Sequence, residues 1–229
     1  MRGMTKLMFA LWGDLEGLHS PEVHGRVEAA GGIRLQVNVA DEHVDRAMRI
    51  STFEPGIDGF ASVWTASDNQ GPDVAAALHD VADRVVGWEV EERRPIESPE
   101  EWDGSRLDGL ANIAVLRRPS ELTHDEWLHR WRVDHTPVAI ATQATFGYTQ
   151  NLVVSRLTQE TPEVSGIVEE LFPTAGIDDM HAFYGSDGDD AELAARLDRL
   201  MASVTRIGAD RDLDLVPTSR YLYSLTRSS

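Results

Sequence analysis

"ANIAVLRRPSELTHDEWLHRWRVDHTPVAIATQATFGYTQNLVV", residues 111–154, reads as a strand, a helix and a second strand, and its reading decides the fold. Ala111–Arg118 has strand character. Thr123-His124-Asp125-Glu126 is a capping box, with Thr at the N-cap and Glu three residues on, so a helix is expected over Thr123–Ala141. Gly147–Val154 returns as a strand. Pro137 removes a backbone donor and disfavours helical geometry at Thr136, so the helix is expected to kink or end near His135.

Working outward, "DDMHAFYG" (Asp178–Gly185) alternates like a strand, Asp190–Ile207 is an amphipathic helix with Leu193, Leu197, Leu200, Met201 and Val204 on one face, and Ser219–Leu225 closes the series. "DGDD" (Asp187–Asp190) reads as that helix's N-cap. The first half repeats the order. Lys6–Trp12 is a strand, and Ser20-Pro21 opens a short helix that stops at Gly31-Gly32. Ile33–Ala40 and Asp58–Ala66 are strands, Pro72–Val86 has helical spacing, and Trp88–Ile96 ends the unit. Two echoes support a duplication: "IDGFASVW" from Ile57 against "IDDMHAFY" from Ile177, and Asn38 against Asn151 in the second strands.

The fold class expected is α+β: two tandem β-α-β-β-α-β, or ferredoxin-like, units. Each has an antiparallel sheet with both helices on one face. The two bare faces would close together into a barrel within one chain, with a cavity between sheet and sheet. The units are expected at residues 1–96 and 111–229, joined by an acidic linker at 97–110. The stretch 155–177 is long for a hairpin loop; within it "GIVEELF" is a turn of helix or an extra strand.

Lys and Arg number 21 against 39 Asp and Glu, a formal net charge of -18. Such a surface repels phosphate backbones and anionic lipid, so neither nucleic acid nor membrane is an expected partner. The absence of cysteine excludes disulfides, thiolate metal sites and Cys nucleophiles. The apolar run Leu7–Trp12 is too short for a secretory core segment, and a cytoplasmic protein is expected. Gly-rich phosphate loops, G-x-S-x-G and H-E-x-x-H are missing. Pro21 between His19 and His24 spoils a helical metal pair, and no metal site is expected. "DRDLD" (Asp210–Asp214) reads as charge that keeps an edge strand soluble.

The chemistry-bearing stretch is Asp125–Pro137. His124, Trp127, Leu128, Trp131, His135 and Val138 fall on one helical stripe, with the Glu126–Arg130 pair opposite. Tryptophans at that spacing are ordinarily core, and a histidine at the end of the stripe is ordinarily a packing residue. Its position at a helix break would also suit proton transfer at a cavity mouth.

The segment "RRPSELTHDEWLHRWRVDHTPVA" followed by "FGYTQNLVV" resembles the EthD family, with Trp131, His135 and Pro137, then Tyr148, Gln150 and Asn151, at the matching positions. The first half has no Trp-x-x-x-His after its first strand and resembles the family only as a degenerate copy. The resemblance implies a dimeric α/β-barrel fold and one site, in the second half. It implies cofactor-independent acid/base chemistry of the decarboxylation, dehydration or oxygenation type on an apolar or aromatic small molecule. In that reading His135 is the acid/base, Asn151 or Tyr148 polarises an oxygen, and Trp127, Trp131 and Gln150 contact substrate. Glu169 and Glu170, set among apolar residues in "GIVEELF", are ordinarily a solvated pair; one of them, taken as Glu169, would otherwise face the cavity and contact substrate. Some relatives of the superfamily bind haem, which needs an axial histidine. The alternative is a non-catalytic ligand-binding or scaffold barrel, and a homo-oligomer is compatible with either.

Overall fold

The computed structural model describes residues 4–67, 69–159 and 162–225. Residues 1–3 and 226–229, at the outer ends of the two expected units, lie outside the described residues, as do 160 and 161 in the long connection.

The first unit runs β1 (Thr5–Trp12), α1 (Pro21–Ala29), β2 (Gly32–Val39), β3 (Gly59–Thr65), α2 (Gly71–Leu78) and β4 (Arg84–Ile96). After β5 (Asp103–Arg106), the second runs β6 (Leu110–Leu116), α3 (His124–His129), a π-helical turn (Arg130–His135), α4 (Thr136–Thr142), β7 (Gly147–Arg156), β8 (Gly166–Phe172), α5 (Met180–Tyr184), α6 (Asp190–Ile207) and β9 (Asp214–Ser224). The sheet order is β2-β3-β1-β4-β7-β8-β6-β9-β5, and β2 also pairs with β9, which closes the ring. Each unit has the ferredoxin-like strand order. The seams between units are antiparallel ladders, Trp88↔Arg156 to Ile96↔Tyr148 on one side and Arg34↔Ser224 to Val39↔Ser219 on the other.

Strand alternation divides the apolar residues into three clusters. Met8, Ala10, Phe60, Val86, Trp88, Ile113, Val115, Ile167 and Val216 pack inside the barrel. Leu7, Phe9, Leu35, Val37 and Val63 face α1 and α2, while Ala114, Tyr148, Leu152, Val168 and Phe172 face the helices of the second unit. The first of these clusters packs the part of the lumen that it lines, and the cavity next to His135 lies outside the sheet, under the helices of the second unit, rather than between the sheets.

Several local expectations are corrected. "DDMHAFYG" is helical: Asp179 caps α5 by accepting from the amides of His181 and Ala182, and Gly185 ends it in the left-handed conformation. The third strand of the unit is instead "GIVEELF", so the Ile57/Ile177 echo matches a strand to a helix. Asn38 and Asn151, by contrast, occupy equivalent second strands and are both fully buried. The helix expected over Pro72–Val86 stops at Leu78, and Val85 and Val86 belong to β4. Asp214 does not protect an edge. It is buried in a closed barrel, accepting from Thr52 N at 2.6 Å and Phe53 N at 3.1 Å and pairing with Arg117 at 2.8 Å. Among the described residues, no helix is long and apolar enough to cross a membrane.

Candidate functional site

The π-helical turn sets the site's geometry. Thr123 Oγ1 accepts from Glu126 N at 3.3 Å and starts the helix where the capping box puts it. Four residues before Pro137 the α-helical ladder would leave Val133 C=O without a donor, and the chain widens into a π turn over Arg130–His135 instead of breaking. Thr136 Oγ1 donates back to Trp131 O at 3.0 Å, and Gln150 Nε2 donates to Thr136 Oγ1 at 2.9 Å. Gln150 Oε1 in turn accepts from Arg93 at 2.9 Å. Gln150 thus clasps the widened turn to the sheet, and Trp131 and His135 both point inward. The Trp127 and Trp131 rings lie 4.9 Å apart, and Trp127 Nε1 is satisfied by Ile207 O at 3.2 Å.

Between this helical layer and the outer face of β6, β7 and β8 lies a cavity of about 360 Å³. Its walls include Trp131, Leu116, Val168, Phe183, Leu200, Val204 and Leu215, and its polar groups include Asn112, His135, Tyr148 and Glu170. Met48, Ile50 and Thr52 reach it from the β2–β3 connection of the first unit. Ile50 is held there by reciprocal backbone bonds with Leu215, at 3.0 and 2.9 Å.

The register builds the polar floor. Glu170 on β8 is directly opposite Tyr148 on β7 and Asn112 on β6. The three form one cross-strand row on the helix-facing side. Glu170 keeps some accessible surface, directed at the cavity, while protein surrounds it elsewhere. Its carboxyl has no hydrogen-bond partner among the described residues. Burial without a compensating cation raises its pKa from 4.5 to about 7. The Tyr148 hydroxyl is pushed up by burial and by the neighbouring Glu170, and Tyr184 likewise, so both are neutral donors near pH 7. His135 is buried with Nδ1 2.9 Å from Ser203 Oγ, and burial lowers its pKa from 6.5 to about 4. It is therefore neutral at physiological pH.

Of the residues expected to act, His135, Tyr148 and Trp131 line this cavity. Trp127 backs Trp131, and Gln150 is occupied as the clasp. Asn151 and Glu169 lie on the other side of the sheet. Asn151 Nδ2 donates to Ile167 O at 3.1 Å inside the barrel, and Glu169 accepts there from Gln36 at 2.7 Å and Asn38 at 3.1 Å with Arg220 3.5 Å away. Neither meets the cavity, because odd-numbered positions of β7 and β8 face the lumen. Of the acidic pair in "GIVEELF" it is Glu170, not Glu169, that faces the cavity, and Asn112 has no motif that marks it in the sequence. The available signal was alternation: once "GIVEELF" is a strand with Val168 and Phe172 under the helices, Glu170 shares their face.

The cavity does not suit haem. Its ionisable lining includes the carboxyls of Glu170, Asp210 and Asp212, and its described lining holds no Lys or Arg to receive propionates.

Residues 119–199 match the EthD domain family. The EthD segment holds Trp131, His135, Tyr148 and Glu170, while Asn112 and the Met48–Thr52 wall come from outside it. No curated protein matches the chain. Among solved structures, an anthrone oxidase-like protein superposes with a TM-score of 0.60 at 10% identity, covering 100% of this chain and 96% of that one. A mutant chlorite dismutase from Candidatus Nitrospira defluvii gives 0.49 at 12% identity, covering 94% and 90%. The likeness to the first extends the fold over both units, beyond the EthD segment.

Proposed function

We propose that the chain is an enzyme that moves a proton on a neutral, largely apolar small molecule, with Glu170 as the general base. The observation that carries this reading is a carboxyl without a charged partner among the described residues at the floor of a largely apolar cavity, in a row with two hydrogen-bonding side chains, where burial raises its pKa to about 7. A base with its pKa close to the working pH combines a useful ionised fraction with real basicity. A substrate C–H or O–H directed at Glu170 would lose its proton there. Tyr148 and Asn112, on either side, would donate to the oxygen on which negative charge develops. His135, too weak a base for the proton transfer, would serve as a neutral hydrogen-bonding wall oriented by Ser203. Exclusion of water by Trp131, Phe183 and Leu200 would strengthen these contacts. Asp210 and Asp212 in the lining favour an uncharged substrate over an anion.

The fold shared with an anthrone oxidase-like protein suggests anthrone as a probe, a neutral aromatic ketone with an acidic methylene. In D2O the protein is expected to speed exchange of the methylene protons, followed by NMR, and Glu170→Gln to slow it by on the order of 10²–10⁴. Exchange by Glu170→Gln at the wild-type rate would end the assignment of the base.

A further inference from the structure

A second cavity, of about 210 Å³, lies beside the first, between the β2–β3 connection and α5. The two have four lining residues in common: Met48, Asn112, Phe183 and Tyr184. Asn112 is 3% exposed, and its Oδ1 has no hydrogen-bond partner among the described residues. A buried carboxamide left half-satisfied costs free energy that a ligand donor would restore. Met48, unbranched and 54% exposed, is the adaptable member of the shared wall. At the outer mouth Arg46 and Asp178 pair at 2.5 Å across the opening, joining the first unit to the second.

We propose that the second cavity is a distal subsite of the same site, so that the protein takes an elongated neutral molecule. One apolar ring system would occupy the chamber over Glu170 and another the chamber under Met48. A hydroxyl or amine between them would donate to Asn112 Oδ1. The inference rests on the first cavity being a small-molecule site, not on the proton chemistry assigned to Glu170. It makes the degenerate first unit part of the specificity machinery, since its β2–β3 connection supplies Arg46, Ala47 and Met48, which decide how long a ligand fits.

N-Phenyl-1-naphthylamine, a neutral fluorophore with two ring systems joined through an N–H, tests this against 1-naphthylamine, which needs one chamber only. Ala47→Phe fills the distal cavity from its buried side, and Met180→Trp blocks it from the exposed mouth, a change that the fold tolerates more easily. Each is expected to weaken the two-ring probe by at least about tenfold and to leave 1-naphthylamine within about twofold of wild type. Asn112→Ala is expected to weaken the two-ring probe by about five- to tenfold. If wild-type protein fails to bind the two-ring probe, or both filling variants bind it unchanged, the distal subsite is refuted. Because binding is read, loss of the Glu170 assignment in the exchange experiment would leave this result standing.

Discussion

Glu170 and His135 are held away from their ordinary ionisation by the same cause, burial, and it acts on them with opposite sign. For Glu170 the folded pKa of about 7 exceeds the 4.5 of an ordinary glutamate. The folded state therefore holds its proton more tightly, and the associated stability is complete below pH 4.5 and lost as pH rises through 7. For His135 the folded value of about 4 lies below 6.5, so its contribution is present above pH 6.5 and lost as pH falls toward 4. The two slopes oppose each other between about 4.5 and 6.5, and single variants separate them. Glu170→Gln is expected to be more stable than wild type at pH 8, by on the order of 2 kcal/mol after solvent access through the cavity is discounted, with the gain vanishing near pH 4.5. His135→Asn should flatten the acid limb instead. Thermal melts across pH 4–8 measure both; parallel curves for all three proteins would contradict the electrostatics. A more stable but inactive Glu170→Gln would identify the carboxylate as a group kept for chemistry at a cost in stability.

At the scale of elements, the helix start was legible and its interior was not. Thr123→Ala removes one capping oxygen and is expected to cost about 1 kcal/mol by denaturant titration, with the π turn intact. The π turn itself has no sequence signature beyond Pro137, because its stability comes from Gln150 and Thr136, partners that only the tertiary fold brings together. Gly166 shows how tightly the turn is seated: a Cβ there would stand 2.6 Å from the Trp131 ring. Gly166→Ala is expected to push the indole toward the cavity, costing about 1–3 kcal/mol and weakening ligand binding together. Full stability and unchanged binding would mean that the ring has room the geometry denies. The misread elements have physical explanations of the same kind. Residues 178–185 alternate like a strand, yet Asp179 at one end and Gly185 at the other are helix punctuation. Val81 sits on the apolar cluster of the first unit from a turn after α2, and so preserves the helical spacing that suggested a longer helix.

For the whole molecule, the duplicated order of elements was enough to predict a barrel closed within one chain, but the location of the cavity depended on side-chain volume. Trp88, Phe60 and Met8 pack in the space between the sheets, a fact that alternation alone does not disclose. Polar pairs within the lumen tie the two units together, Glu169 on β8 with Gln36 and Asn38 on β2 and with Arg220 on β9, while Lys6 pairs with Glu92, so the interior is a structural core spanning both units. Each unit alone would expose half of that core and the unpaired edges of two strands, β2 and β4 in the first and β7 and β9 in the second. Residues 1–103 expressed alone are therefore expected to aggregate or to pair with a second copy across the exposed sheet face. Size-exclusion chromatography with near-UV circular dichroism decides the point. A monodisperse monomer with fixed aromatic signals would mean that the first unit stabilises itself without the seam. The same cut should abolish ligand binding by residues 104–229 even if that fragment folds, because the Met48–Thr52 wall and the Ile50–Leu215 bonds leave with the first unit.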